Sequence, residues 1–117
     1  MKKSIFLIGL STATIFANAQ TKWYVDSTKT GNGSSWANAS NDLQAVINAS
    51  SAGDTIFVAK GTYEPIRRAD DLNTTNGGDC NNAFVLQPDR HIYGVFAGNE
   101  TNVSQQNWRI NETILKN

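Results

Sequence analysis

Leu43, Val46 and Ile47 stand at i, i+3 and i+4, which puts three apolar side chains on one face of a helix through Asn41–Ser50. Asn41 is placed to cap it, Asp42 suits the positive end of the helix dipole, and Gln44 takes the glutamine position of a capping box. Gly53 is the expected stop. A helix of about two to three turns is marginal alone in water, so its apolar face must pack on another element.

The remaining order is short strands and turns. Lys22-Trp23-Tyr24-Val25-Asp26 is rich in strand formers. Thr28–Ser35 is a polar, glycine-rich loop. Thr55–Ala59 is apolar on both faces, with Ile56 and Val58 on one and Phe57 and Ala59 on the other; such a strand is buried on both sides. Lys60-Gly61-Thr62 reads as a turn, and Arg67–Asn82 as a polar loop insertion. Ala83–Gln87 is expected as a strand stopped by Pro88-Asp89, then His91–Phe96 as another and Thr113–Leu115 as the last. One helix followed by such strands fits a small α+β domain or the first coils of a solenoid equally well.

The first residues assign a compartment. Met1-Lys2-Lys3 is a basic start, Ile5–Phe16 carries no charge, and Ala17-Asn18-Ala19 fits the small-x-small cleavage rule, with the cut before Gln20. The apolar run is about a dozen residues, short of the roughly 20 that span a bilayer, so no transmembrane span is expected. The chain therefore reads as residues 1–19, a leader, and residues 20–117, an exported domain. The alternative is a buried N-terminal helix.

Charge and chemistry narrow the functional classes. Residues 20–117 hold 8 basic and 10 acidic side chains, a net charge of −2 that gives no reason to expect nucleic acid or an anionic membrane surface. Cys80 is the only cysteine, so no internal disulfide can form, and beside Asp79 with no base placed by sequence it is a poor nucleophile. Asn32, Asn38, Asn99 and Asn111 each begin Asn-x-Ser/Thr; in a chain with a bacterial type of leader these reflect turn-forming composition. Asp26, Asn32 and nearby hydroxyls do not match the spacing of a calcium loop. Arg67-Arg68 with Asp70-Asp71 reads as a solvated charge cluster, and His91 as an exposed or satisfied strand histidine. Asp54, at a helix-to-strand junction, reads as a capping or turn residue. No catalytic, cofactor-binding or metal-ligating residue is assigned.

Five segments, in this order, carry a resemblance: TGNGSSWANA, the helix ending LQAVINA, GDTIFVAKGTYEP, NNAFVLQPDRHIYGVFAGNET and NWRINETIL. Together they resemble the N-terminal region of secreted right-handed parallel β-helix proteins, the pectin-lyase-like superfamily, in the form found in Bacteroidetes-type bacteria. The resemblance covers Lys22 to Leu115. It implies a mainly β fold, the start of a right-handed parallel β-helix with a short N-terminal capping helix. That helix, through Leu43, Val46 and Ile47, would close the open end of the stack and cover a sheet edge. Ile56 and Val58 would point into the first coil; Gly53 and Gly61 would be turn residues, with Asp54 and Tyr63 beside them. Trp36 and Trp108 would be packing anchors, and Phe84, Leu86, Tyr93, Gly94, Phe96 and Gly98 would be further structural positions. Val95 stands where the family commonly has a second glycine, so a softer bend after Tyr93 is expected. Cys80 replaces a basic or polar residue and is incidental.

The family's chain continues into further coils where this sequence reads Lys116-Asn117. Because about three repeats are needed for stability, the expectation is an incomplete fold that is marginally stable or self-associates through an uncapped C-terminal end. Location is extracellular, at the cell surface or in the periplasm of a Gram-negative bacterium. Three functions follow: a non-catalytic piece of a surface β-helix protein with an adhesive or structural role; the N-terminal part of a polysaccharide lyase or glycoside hydrolase; or a small carbohydrate-binding module. The partners implied are polysaccharide or cell-surface components. The resemblance places no cofactor in this segment and leaves calcium to longer relatives.

Overall fold

The computed structural model describes residues 20–117; the leader, with Ala17 and Ala19 at its expected cleavage site, lies outside them. The described chain is mainly strands with one short helix: β1 Lys22–Val25, α1 Leu43–Ala49, β2 Thr55–Ala59, β3 Gly61–Tyr63, β4 His91–Phe96, a 3-10 turn Val103–Gln105, and β5 Thr113–Leu115. Both sheets are small and parallel, one in the order β1-β2-β4 and the other β3-β5.

β2 is the centre of the packing. Ile56 and Val58 face Val25, Leu43, Val46, Ile47 and Tyr63, with Trp23, Phe84 and Ile92 packed alongside. On the opposite face Phe57 meets Tyr24 at 5.6 Å, Phe96 at 5.0 Å and, stacked, Trp36 at 6.4 Å between ring centroids. The strand is thus buried on both faces, as its unbroken apolar run requires. Edge and tilted aromatic contacts of this kind add about 0.5–1.5 kcal/mol each beyond burial. Trp36 packs against the Tyr24, Phe57 and Phe96 rings, and its indole N–H donates to the Glu100 carbonyl at 2.7 Å.

Several local expectations are corrected. Asp42 caps α1, not Asn41: its Oδ1 accepts from the Ala45 N–H at 3.0 Å, a charged acceptor being the stronger partner for an orphan helix donor. Gln44 is consequently not part of a capping box; it is buried. The helix ends at Ala49, well before Gly53, because Ser50 turns extended while its N–H and hydroxyl take the Val46 and Ile47 carbonyls. α1 packs its apolar face into the core but does not cover the outer edge of β1. The Gly31–Ser40 loop does that, with Tyr24 N–H donating to Gly33 O at 2.8 Å and Ser40 N–H to Tyr24 O at 3.0 Å. A helix interior has no spare backbone donors with which to close a strand edge.

Gly61–Tyr63 is a strand, not a turn: it pairs with Thr113–Leu115, and Lys60 alone makes the corner between β2 and β3. Gly61 has φ 141°, and a β-carbon there would stand 2.6 Å from Ser27 Oγ, so the position admits only glycine. The expected strand at Ala83–Gln87 does not form. No strand lies beside it; instead the Gln44 side-chain amide accepts from Val85 N–H at 2.8 Å and donates to Val85 O at 3.0 Å. Phe84 still packs against the core, whereas Leu86 is exposed.

The bend in β4 is sharper than expected. Tyr93 pairs with Phe57 and Phe96 with Ala59, so Gly94 and Val95 together oppose the single residue Val58. This bulge puts Val95 at φ 63°, a left-handed conformation that a β-branched residue rarely adopts. Gly94 is tightly packed as well: a β-carbon there would stand 3.0 Å from Thr113 Cβ, so Thr113 would have to give way.

Candidate functional site

Two buried acidic side chains, Asp54 and Glu100, each accept three hydrogen bonds from within the chain. Asp54, 4 % exposed, sits between α1 and β2. Its Oδ1 accepts from Thr21 N–H at 3.0 Å, and its Oδ2 from Ser51 N–H at 2.8 Å and the Trp23 indole at 2.9 Å. The Ser51 N–H and the indole hold its carboxyl below the usual aspartate range. A carboxylate with both oxygens filled and a lowered proton affinity is a poor general acid or base. Asp54 therefore fastens the start of β1 to the α1–β2 turn, a larger role than the local cap its sequence position suggests.

Glu100 does the same for the turn after β4. Its Oε2 accepts from Ala97 N–H at 2.7 Å, and its Oε1 from Gly98 and Asn99 N–H at 2.9 and 3.0 Å. Burial pushes its carboxyl up, but these backbone donors outweigh that and hold it below the ordinary glutamate value. Sequence reasoning assigned Glu100 no role; a glycine turn followed directly by an acid was the available signal.

The charge cluster at the start of the insertion is divided. Arg67 is buried and reaches back to the α1 cap, Nη1 to Asp42 Oδ1 at 2.7 Å, so this half is not the solvated surface expected. Burial raises the Asp42 carboxyl, and its hydrogen bonds from Arg67 and from the Ala45 N–H together reverse that to a net lowering. Arg68 stays outside, forked onto Asp70 at 3.0 and 3.1 Å with Asp79 at 3.6 Å. Asp71 turns its own loop by accepting from Asn73 and Thr74 N–H. The four charges thus share no site. His91 and Cys80 are both exposed, and Asp26 and Asn32 each bond locally, to Thr28 and Ser34. Among the described residues no three His, Cys, Asp or Glu side chains are grouped as metal ligands.

A hollow of about 320 Å³ is lined by Leu43, Val58, Ile92, Gly94, Val95, Gln106, Thr113 and Leu115, from α1, β2, β4, β5 and the loop between the last two. Its two polar side chains are occupied: Gln106 donates to Gly94 O at 2.8 Å, and Thr113 Oγ1 accepts from Val95 N–H at 2.8 Å while donating to Ala59 O at 3.1 Å. It is an apolar surface without a reacting group. Nearby, Trp108 is 71 % exposed and is not a packing anchor; its turn carries it outward, with the Arg109 guanidinium 4.9 Å from its ring. Leu86, Ile110, Ile114 and Leu115 are the other exposed large apolar side chains among the described residues.

No helix of the described residues is long and apolar enough to cross a membrane. Compared with protein-family models, with curated proteins and with solved structures, the chain matches none.

Proposed function

We propose that this chain is an exported, non-catalytic portion of an extracellular or surface β-helix protein, serving adhesion or as a structural stalk. The observation that carries the reading is the order of the parallel strands. β2 and β3 enter different sheets across Lys60, and β4 and β5 repeat that path one layer further along. The chain returns in parallel register twice to one sheet and once to the other, which favours a winding path, and parallel crossovers such as β1–α1–β2 are right-handed in about 98 % of cases. Residues 20–63 are then the cap and first rung, and residues 91–115 the second. The resemblance to the pectin-lyase-like superfamily supports this reading from sequence alone; three of its five segments lie within these two ranges, a fourth, residues 53–65, ends just past the first, and the remaining one, residues 81–101, enters the second at His91.

Reading the segment as scaffold accords with its buried carboxylates Asp54 and Glu100, whose oxygens are taken up largely by backbone N–H groups. The experiment is fractionation of a Gram-negative host expressing the full chain, followed by incubation of the exported protein with pectin and alginate. Recovery outside the cytoplasm with no unsaturated product is expected. Unsaturated product would replace the scaffold reading with that of a lyase segment. The exposed Trp108 ring is the one feature that favours a carbohydrate-binding module instead. That reading requires retention on an insoluble polysaccharide and its loss in Trp108→Ala.

The exposed apolar side chains all lie between Leu86 and Leu115, and no described strand pairs with the outer edges of β4 and β5. Self-association through this end is the partner reading that follows. Sedimentation should show mass rising with protein concentration; a monomer at every concentration would remove it.

A further inference from the structure

The candidate modification site is the first described residue. If the leader is cut before Gln20, as the export reading above holds, the new N-terminus is a glutamine, whose α-amine can reach its own side-chain amide. We propose that Gln20 is converted to a pyroglutamyl lactam in the exported protein. The amine nitrogen attacks Cδ, the new N–Cδ bond closes a five-membered ring, and the Cδ–Nε2 bond breaks. Ammonia leaves with the proton released by the attacking amine; no oxidant, reductant or other co-reactant is consumed.

The surroundings of Gln20 suit this product. Gln20 is exposed, while the chain is held from the very next residue: Thr21 N–H donates to Asp54 Oδ1 and Thr21 O accepts from Thr55 N–H, both at 3.0 Å. Folding therefore leaves a single terminal residue outside the structure, rather than a tail that aminopeptidases could shorten. The lactam uses only the α-amine and side chain of Gln20. The Gln20–Thr21 peptide bond, and with it the N–H that Asp54 grips, is untouched. The Gln20 side chain already lies over Gly53, its Cγ 3.8 Å from where a β-carbon would stand, so the ring rests on a residue with no side chain to displace. Cyclisation also removes the terminal positive charge and the free amine that an aminopeptidase needs.

The test is intact mass and N-terminal peptide sequencing of the full chain, recovered from the exported fraction and measured at harvest and after storage. The expected result is a chain beginning at residue 20 and lighter than its sequence by one ammonia at harvest. Its N-terminus should open to sequential degradation only after treatment with pyroglutamyl aminopeptidase. Asn32-Gly33 and Asn76-Gly77 can also lose ammonia by forming succinimides. The Gln20→Ala variant must therefore show the full mass. A chain beginning at residue 20 with a free amine overturns the lactam and leaves the export reading standing. So does an ammonia loss that is absent at harvest and grows only on storage, or one that persists in Gln20→Ala. A chain that retains Met1, or begins elsewhere, overturns the export reading and the lactam together.

Discussion

Val95 is the most strained residue described, since its left-handed backbone sets a branched side chain against its own carbonyl. Val95→Gly should therefore stabilise the chain by about 1 kcal/mol, read as a higher urea midpoint with unchanged slope. Gly94→Ala, one residue earlier, should destabilise it, because Thr113 occupies the space. The glycine at this bend was legible in the sequence, but which of two neighbours takes the positive φ was not. That is decided by the extra residue in the β2–β4 ladder, a relation between strands far apart in the chain. Asp54 makes a second prediction. Its proton affinity, like that of Glu100, is lower folded than unfolded, so an acidified unfolded chain takes up the protons first. Stability should be full above the ordinary carboxylate range, about pH 4, and fall as the pH drops through the lower folded values. Asp54→Asn presents an NH2 group to donors that need an acceptor. It should cost about 2 kcal/mol at neutral pH and make the acid loss shallower, as urea melts across a pH series would show.

Where an element's signal lay in its own residues, it was readable. The apolar positions of α1, the doubly apolar β2 and the strands β1, β4 and β5 all form where their patterns place them. The failures at Gly61–Tyr63 and Ala83–Gln87 share a cause: a strand exists only where another strand supplies its ladder. β5 supplies one for Gly61–Tyr63, whose composition resembles a turn, and nothing supplies one for Ala83–Gln87, whose composition resembles a strand. Gln44 stands in for that missing strand with two hydrogen bonds to Val85. Gln44→Ala should leave both Val85 groups unpaired and cost about 2 kcal/mol. Hydrogen exchange at the Val85 amide should speed up more than at any amide of β2. Equal slowing loss throughout the chain would mean that Gln44 supports the core generally rather than this segment.

Taken together, the two sheets share one core built around β2, closed at one side by the Gly31–Ser40 loop and α1, and bounded at the other by β4, β5 and their exposed apolar side chains. The candidate chemistry dispersed because Asp54 and Glu100 hold backbone, Asp42 holds the α1 cap and Arg67, and Asp70 pairs with Arg68 outside, uses that a bare sequence of acids, bases and hydroxyls does not distinguish. What the sequence did carry was β1, α1, β2, β4 and β5 in order, part of the basis for proposing a winding scaffold. The most direct test of the proposed winding is solution NMR of residues 20–117, following cross-strand contacts between backbone protons. The account predicts parallel contacts placing Ile56 beside Ile92 and, in a separate sheet, Thr62 beside Ile114. Antiparallel contacts between β2 and β4, or β3 and β4 joined in a single sheet, would contradict it.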